Sequence, residues 1–163
     1  MNIKTITIIV IILIIGLFVF RSNQPKFQAL PQQYLDDRET FGKVNQLFND
    51  AMGLTQAPDN SGQPFDMPKD QEAQIISKLE EGVNLSKQID DEFLDYLNPD
   101  LKDNFRNEYV KGNQLFYEGL KGNTSNENSI GVKNQLEGNR LIGEWIKWWN
   151  TNKDTITNKA FAK

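Results

Sequence analysis

The longest unbroken apolar stretch of the chain lies near its start. Sixteen uncharged residues run from Thr5 to Phe20 (TITIIVIILIIGLFVF), and thirteen of them are Ile, Val, Leu or Phe. As a helix the run covers about 24 Å, against a bilayer hydrocarbon core of about 30 Å. On an insertion scale its apolar side chains contribute about −4 to −8 kcal/mol. Lys4 and Arg21 flank it, and both side chains can carry their charge out to the headgroups. Bulky residues, Leu17 to Phe20, stand at its exit where a cleavage site needs small ones. With no cysteine for a lipid anchor, the expectation is an uncleaved, single-pass signal anchor over residues 1–22, inserted in the lipid bilayer through Thr5–Phe20. The flanking charges, Lys4 and the amino terminus against Arg21 and Lys26, nearly balance. The short head before the run points to the amino terminus inside the inner (plasma) membrane and the rest of the chain in the periplasm or outside.

Beyond a short polar stalk, residues 23–30, the pattern changes to helical periodicity. Pro31 opens a first helix whose apolar positions include Tyr34, Phe41, Val44, Phe48 and Ala51, with Gly53 as its stop. Residues 54–67 carry two prolines and an Asn-Ser-Gly turn, and form the longest irregular connection. Pro68, with Asp70 and Glu72 behind it, starts a second helix. Its stripe, Ile75, Leu79, Val83, Ile89, Phe93 and Leu97, predicts one continuous helix up to Asn98-Pro99. A third helix follows to Lys121 through Leu101, Phe105, Tyr109, Phe116 and Leu120, and ends in the polar turn 122–128. The fourth runs from Ser129 to Asn152, leaving residues 153–163 as a flexible tail. No stretch alternates as a strand would. The predicted fold is all-α: one transmembrane helix followed by an antiparallel four-helix bundle over residues 31–152.

Glycine breaks the helical pattern from within. A helix-interior glycine costs about 1 kcal/mol relative to alanine, yet Gly42, Gly82, Gly112, Gly119, Gly138 and Gly143 all fall inside predicted helices. Folding the second and third helices about Asn98, and the third and fourth about Ser125, brings Gly82, Gly112 and Gly138 to nearly one height. Two readings stay open. The glycines permit close helix approach, or they border a partly polar cavity lined by Asn84, Asn113 and Asn139 that holds a small ligand or water.

Composition removes more functions than it suggests. The chain has neither histidine nor cysteine, so imidazole catalysis, thiol chemistry, disulfides, haem ligation and most metal sites are closed to it. No cofactor and no metal site are expected, and the chain is not expected to be an enzyme. A carboxylate-based reaction would need paired acids converging in a cleft. Past residue 26, fifteen basic residues face twenty-two acidic ones, a balance of about −7 that argues against nucleic acid as a partner. The abundance of Ile, Asn, Lys and Gln fits an AT-rich bacterial genome.

Few residues stand out as contacts. Trp145, Trp148 and Trp149 fall within an arc of about 100° on one helix, with Leu141 and Ile142. They fill the core at that level, or they present a binding face to a partner. The acids Asp90, Asp91, Glu92 and Asp95 read as a solvated face. Asp59-Asn60-Ser61-Gly62 fails as a calcium loop, because Ala57 and Pro68 would occupy its first and last ligand positions. The expected function is that of a membrane-tethered helical bundle binding another envelope protein, as an accessory subunit or an immunity or exclusion protein. A small-molecule-sensing bundle is the alternative. Oligomeric state leaves no trace in the sequence.

Overall fold

A computed structural model describes residues 29–55, 68–122 and 129–162. The run Thr5–Phe20, most of the stalk and the connections 56–67 and 123–128 lie outside the described residues. Among the described residues the protein is helical, with no strand and no helix long and apolar enough to cross a membrane. The predicted transmembrane helix falls outside that set.

Among the described residues five helices make up the fold. A single 3₁₀ turn, Gln32–Tyr34, leads into α1, Leu35–Leu54. α2 is Lys69–Ser86 and α3 is the short Asp91–Leu97. α4 occupies 101–121: it starts as Leu101–Asn104, widens into a π segment at Phe105–Val110, and returns to α geometry over Lys111–Lys121. α5, Ile130–Ala160, is the longest. Each long helix runs antiparallel to the one before it. Phe48 meets Gly82 and Asp50 meets Lys78 across α1–α2, Lys121 meets Glu80 across α2–α4, and Gly112 meets Gly138 across α4–α5.

The buried face of α1, Phe41, Val44, Phe48 and Ala51, keeps the spacing read from the sequence. That of α2 is Ile75, Leu79, Gly82, Val83 and Ser86. One core joins all five helices, and aromatic rings dominate its middle. Phe41 touches Phe105 with ring centroids 5.2 Å apart, Phe48 meets Tyr109 edge-on at 5.0 Å, and Tyr109 stacks on Trp145 at 4.7 Å. Such pairs add about 0.5–1.5 kcal/mol each to the burial of their area. Leu30, assigned to the stalk, already packs against this core.

Three predicted elements need correction. The second predicted helix is two, because the backbone turns at residues 87–90. The Ser86 hydroxyl donates back to the Val83 carbonyl at 2.8 Å, and the Asp90 side chain caps α3 by accepting from the Glu92 N–H at 2.9 Å. Serine and aspartate compete with the helix ladder in this way. Arg106 completes the turn by donating to the carbonyls of Ser86 and Ile89 and to Asp91. The third predicted helix follows Asn98-Pro99 but starts at Leu101, two residues after the Pro99 start that the sequence suggests. The Asn98 side chain accepts from the Asp100 N–H at 2.9 Å, and the helix is not regular. Lys111 N–H reaches the Arg106 carbonyl, five residues back.

The predicted flexible tail, 153–163, is helical to Ala160. Ile156 and Ala160 are buried, and the Lys159 ammonium donates to the Tyr96 carbonyl of α3. α5 outlasts α4 because it must reach α3, which covers that end of the core.

Candidate functional site

Glycine makes the α4–α5 seam. A Cβ on Gly138 would lie 2.6 Å from the Gly112 carbonyl oxygen and 2.8 Å from the Phe116 nitrogen. One on Gly112 would lie 3.0 Å from the Gly138 carbonyl oxygen. Two turns along, a Cβ on Gly119 would meet the Gly131 carbonyl oxygen at 2.6 Å. The two backbones thus touch at two levels. The Gly119–Gly131 contact escaped the sequence reading, although its signal was present: Gly112 and Gly119 are seven residues apart, as are Gly131 and Gly138. Two antiparallel helices with glycines at that spacing meet twice along one seam.

Gly82 belongs to a different contact. Its missing side chain admits the Phe48 ring, whose Cε1 lies 2.3 Å from where a Cβ would be. Phe48 in turn packs on Tyr109, one turn before Asn113. Gly42 lines nothing: it is exposed and has no neighbour within 4 Å of its Cβ position.

The three asparagines do not converge. Asn84 is exposed and accepts from Lys87, Asn139 is half-buried on α5, and Asn113 is fully buried. The described positions of these side chains do not bring them together around one cavity, which was the second of the two readings. Two residues beyond Gly82, Asn84 is turned about 200° around the helix, out toward water.

Asn113 has a local task. The Asn113 amide donates to the Tyr109 carbonyl, one turn back on its own helix, at 2.8 Å. Its Oδ1 is buried and unpartnered.

The tryptophans divide between core and surface. Trp145 is 3 % exposed and lies between Tyr109, Trp148 and Trp149, with centroids 4.7, 5.4 and 5.2 Å away. It is thus withdrawn from any partner, because its helix face is the one turned to α4. Trp148 and Trp149 are half-buried. The large hydrophobic side chains that are exposed among the described residues all lie on or beside α5: Ile130 at 72 %, Leu136 at 48 % and Phe161 at 49 %. Leu136 is nine residues before Trp145, about 180° around the helix, and so points away from the core.

Charge along the outer part of α5 is organised by Arg140. It donates to both oxygens of Glu137 at 2.8 and 2.7 Å and to Glu144 at 2.6 Å. That bond holds the Glu137 carboxyl below its ordinary range. Facing this group from α4, Glu108 is raised above the ordinary range, first by burial and then by the Glu144 charge. Burial alone pushes the Tyr109 phenol far up. Among the described residues no group of three acids is placed to hold a metal ion.

No protein-family model, no curated protein and no solved structure matches this chain.

Proposed function

We propose that the chain is a membrane-tethered helical bundle that binds another protein of the cell envelope, with α5 as its docking helix. The observation that carries the membrane part is the uncharged run Thr5–Phe20 ahead of an acidic domain. Support for α5 comes from its outward apolar residues, Ile130 and Leu136, and from the half-buried edges of Trp148 and Trp149. Of these, the tryptophans are the kind of residue that anchors a protein interface. The sensing alternative loses its motive, since the glycines are filled by backbone and by the Phe48 ring.

Extraction of membranes from cells making the full chain tests the first part: the protein should stay in the membrane after an alkaline carbonate wash. Recovery in the wash would end the tether reading. For the second part, a photocrosslinker at Leu136 should trap one envelope protein in mild detergent, and Leu136→Asp should reduce its co-purification at least several-fold. Recovery of the chain alone, or capture indifferent to Leu136→Asp, would overturn docking on α5. A reporter fused at Lys163 determines on which side the bundle lies.

A further inference from the structure

Glu108 is the one acid among the described residues with a side-chain oxygen that is both buried and unpartnered. It sits in the π segment of α4 and is half-buried, with its Oε2 closed off from solvent. The groups facing it from α5 are Glu144 and Arg140. The Arg140 guanidinium is already committed, with two nitrogens on Glu137 and one on Glu144. On its own helix Lys111 stands three residues away, exposed, with its charge acting on Glu137. α2 and α3 meet this segment through Arg106, whose guanidinium is taken up by Ser86, Ile89 and Asp91. Three carboxylates thus surround one guanidinium, and the buried oxygen has no donor. An unpaired carboxylate oxygen in that position is costly, whereas a neutral acid brings a hydroxyl donor of its own.

We propose that Glu108 is a protonation-dependent latch on the α4–α5 seam. As a neutral acid it lies against α5 beside the Glu144 carboxylate without adding a further negative charge; as a carboxylate it loosens the seam at the π segment. The direction of its titration agrees, because burial and the Glu144 charge both favour the proton while Arg140 opposes it. The folded chain then keeps a proton over an interval in which the unfolded chain has lost it. Stability therefore falls as pH rises from the ordinary glutamate range through the pKa of Glu108 in the fold.

The test uses the full chain in mild detergent, unfolded in urea at steps from about pH 4 to about pH 8. Tryptophan fluorescence reports it, since Trp145 stacks on Tyr109, the neighbour of Glu108. The urea midpoint of the wild type should fall across this range, and Glu108→Gln should lose that part of the slope. Carboxyl ¹³C shifts should show Glu108 titrating above the ordinary range, and Glu144→Gln should move it back down by removing a like charge and freeing Arg140. Titration of Glu108 within the ordinary range would overturn the latch, as would equal pH slopes for wild type and Glu108→Gln. Should Glu108→Gln fail to fold, the wild-type ¹³C titration decides alone.

Discussion

Gly138 and Gly143 are five residues apart on the same helix, and their substitutions should act in opposite directions. At Gly143 nothing lies within 4 Å of a Cβ. Alanine there removes only the conformational freedom of glycine, so Gly143→Ala should stabilise the fold by about 0.5–1 kcal/mol. At Gly138 the Cβ would strike the Gly112 carbonyl and the Phe116 nitrogen, both backbone. The helices must then part, and Gly138→Ala should cost about 3 kcal/mol, the upper end for overpacking a close contact. Urea unfolding of both variants checks the pair. The sequence marked both glycines alike as breaks in a helical pattern. What separates them is which face of α5 meets α4, and only the Gly112-to-Gly119 and Gly131-to-Gly138 spacing hinted at that.

At the scale of the element, the spacing of buried residues accounts for the π segment. On α4 the buried positions Leu101, Phe105, Tyr109 and Asn113 follow at intervals of four. In a regular α-helix each such step overshoots a full turn by about 40°, and the stripe would drift off the core. Widening the helix at Phe105–Val110 absorbs the drift. Deleting the exposed Asn107 would therefore leave buried positions at alternating steps of four and three, the natural spacing of an α stripe. That deletion should fold, with near-ultraviolet circular dichroism of the aromatic cluster close to wild type. Deleting the exposed Glu137 from regular α5 should not, because every later residue would turn by about 100°.

Spacing alone reveals the stripe but not its winding, so the sequence predicted a helix here and missed its irregularity. The break at 87–90 was hidden for a related reason. Phe93 lies eighteen residues after Ile75, five whole turns, so the periodicity runs unbroken through a turn made by Ser86, Asp90 and a distant Arg106.

For the whole molecule, the chain enters and leaves the described fold at one pole. Tyr34, just before α1, packs on Phe93 and Tyr96 of α3, with ring centroids 5.8 and 5.1 Å away. The end of α5 arrives at the same place: the Lys159 ammonium lies 4.2 Å from the Tyr96 ring centroid, and Phe161 lies under the Arg38 guanidinium. This pole is where a tether through Thr5–Phe20 would transmit force to the bundle, so its closure matters to the proposed role. The last turns of α5 close it from the carboxyl side, through Ile156 and Ala160, which are 1 % and 3 % exposed. Truncation after Asn152 removes both, together with the Lys159 bond to the Tyr96 carbonyl. Burying an Ile side chain contributes about 1.5–3 kcal/mol and a charged hydrogen bond about as much again, so the truncated chain should lose about 3 kcal/mol or more. The half-exposed Phe161 provides the comparison: Phe161→Ser gives up its contact with Arg38 and should cost about 1 kcal/mol, well below the truncation. Urea midpoints of the truncated chain, Phe161→Ser and wild type measure both. Equal midpoints for truncated and full chains would mean that the last turns of α5 do not hold the pole.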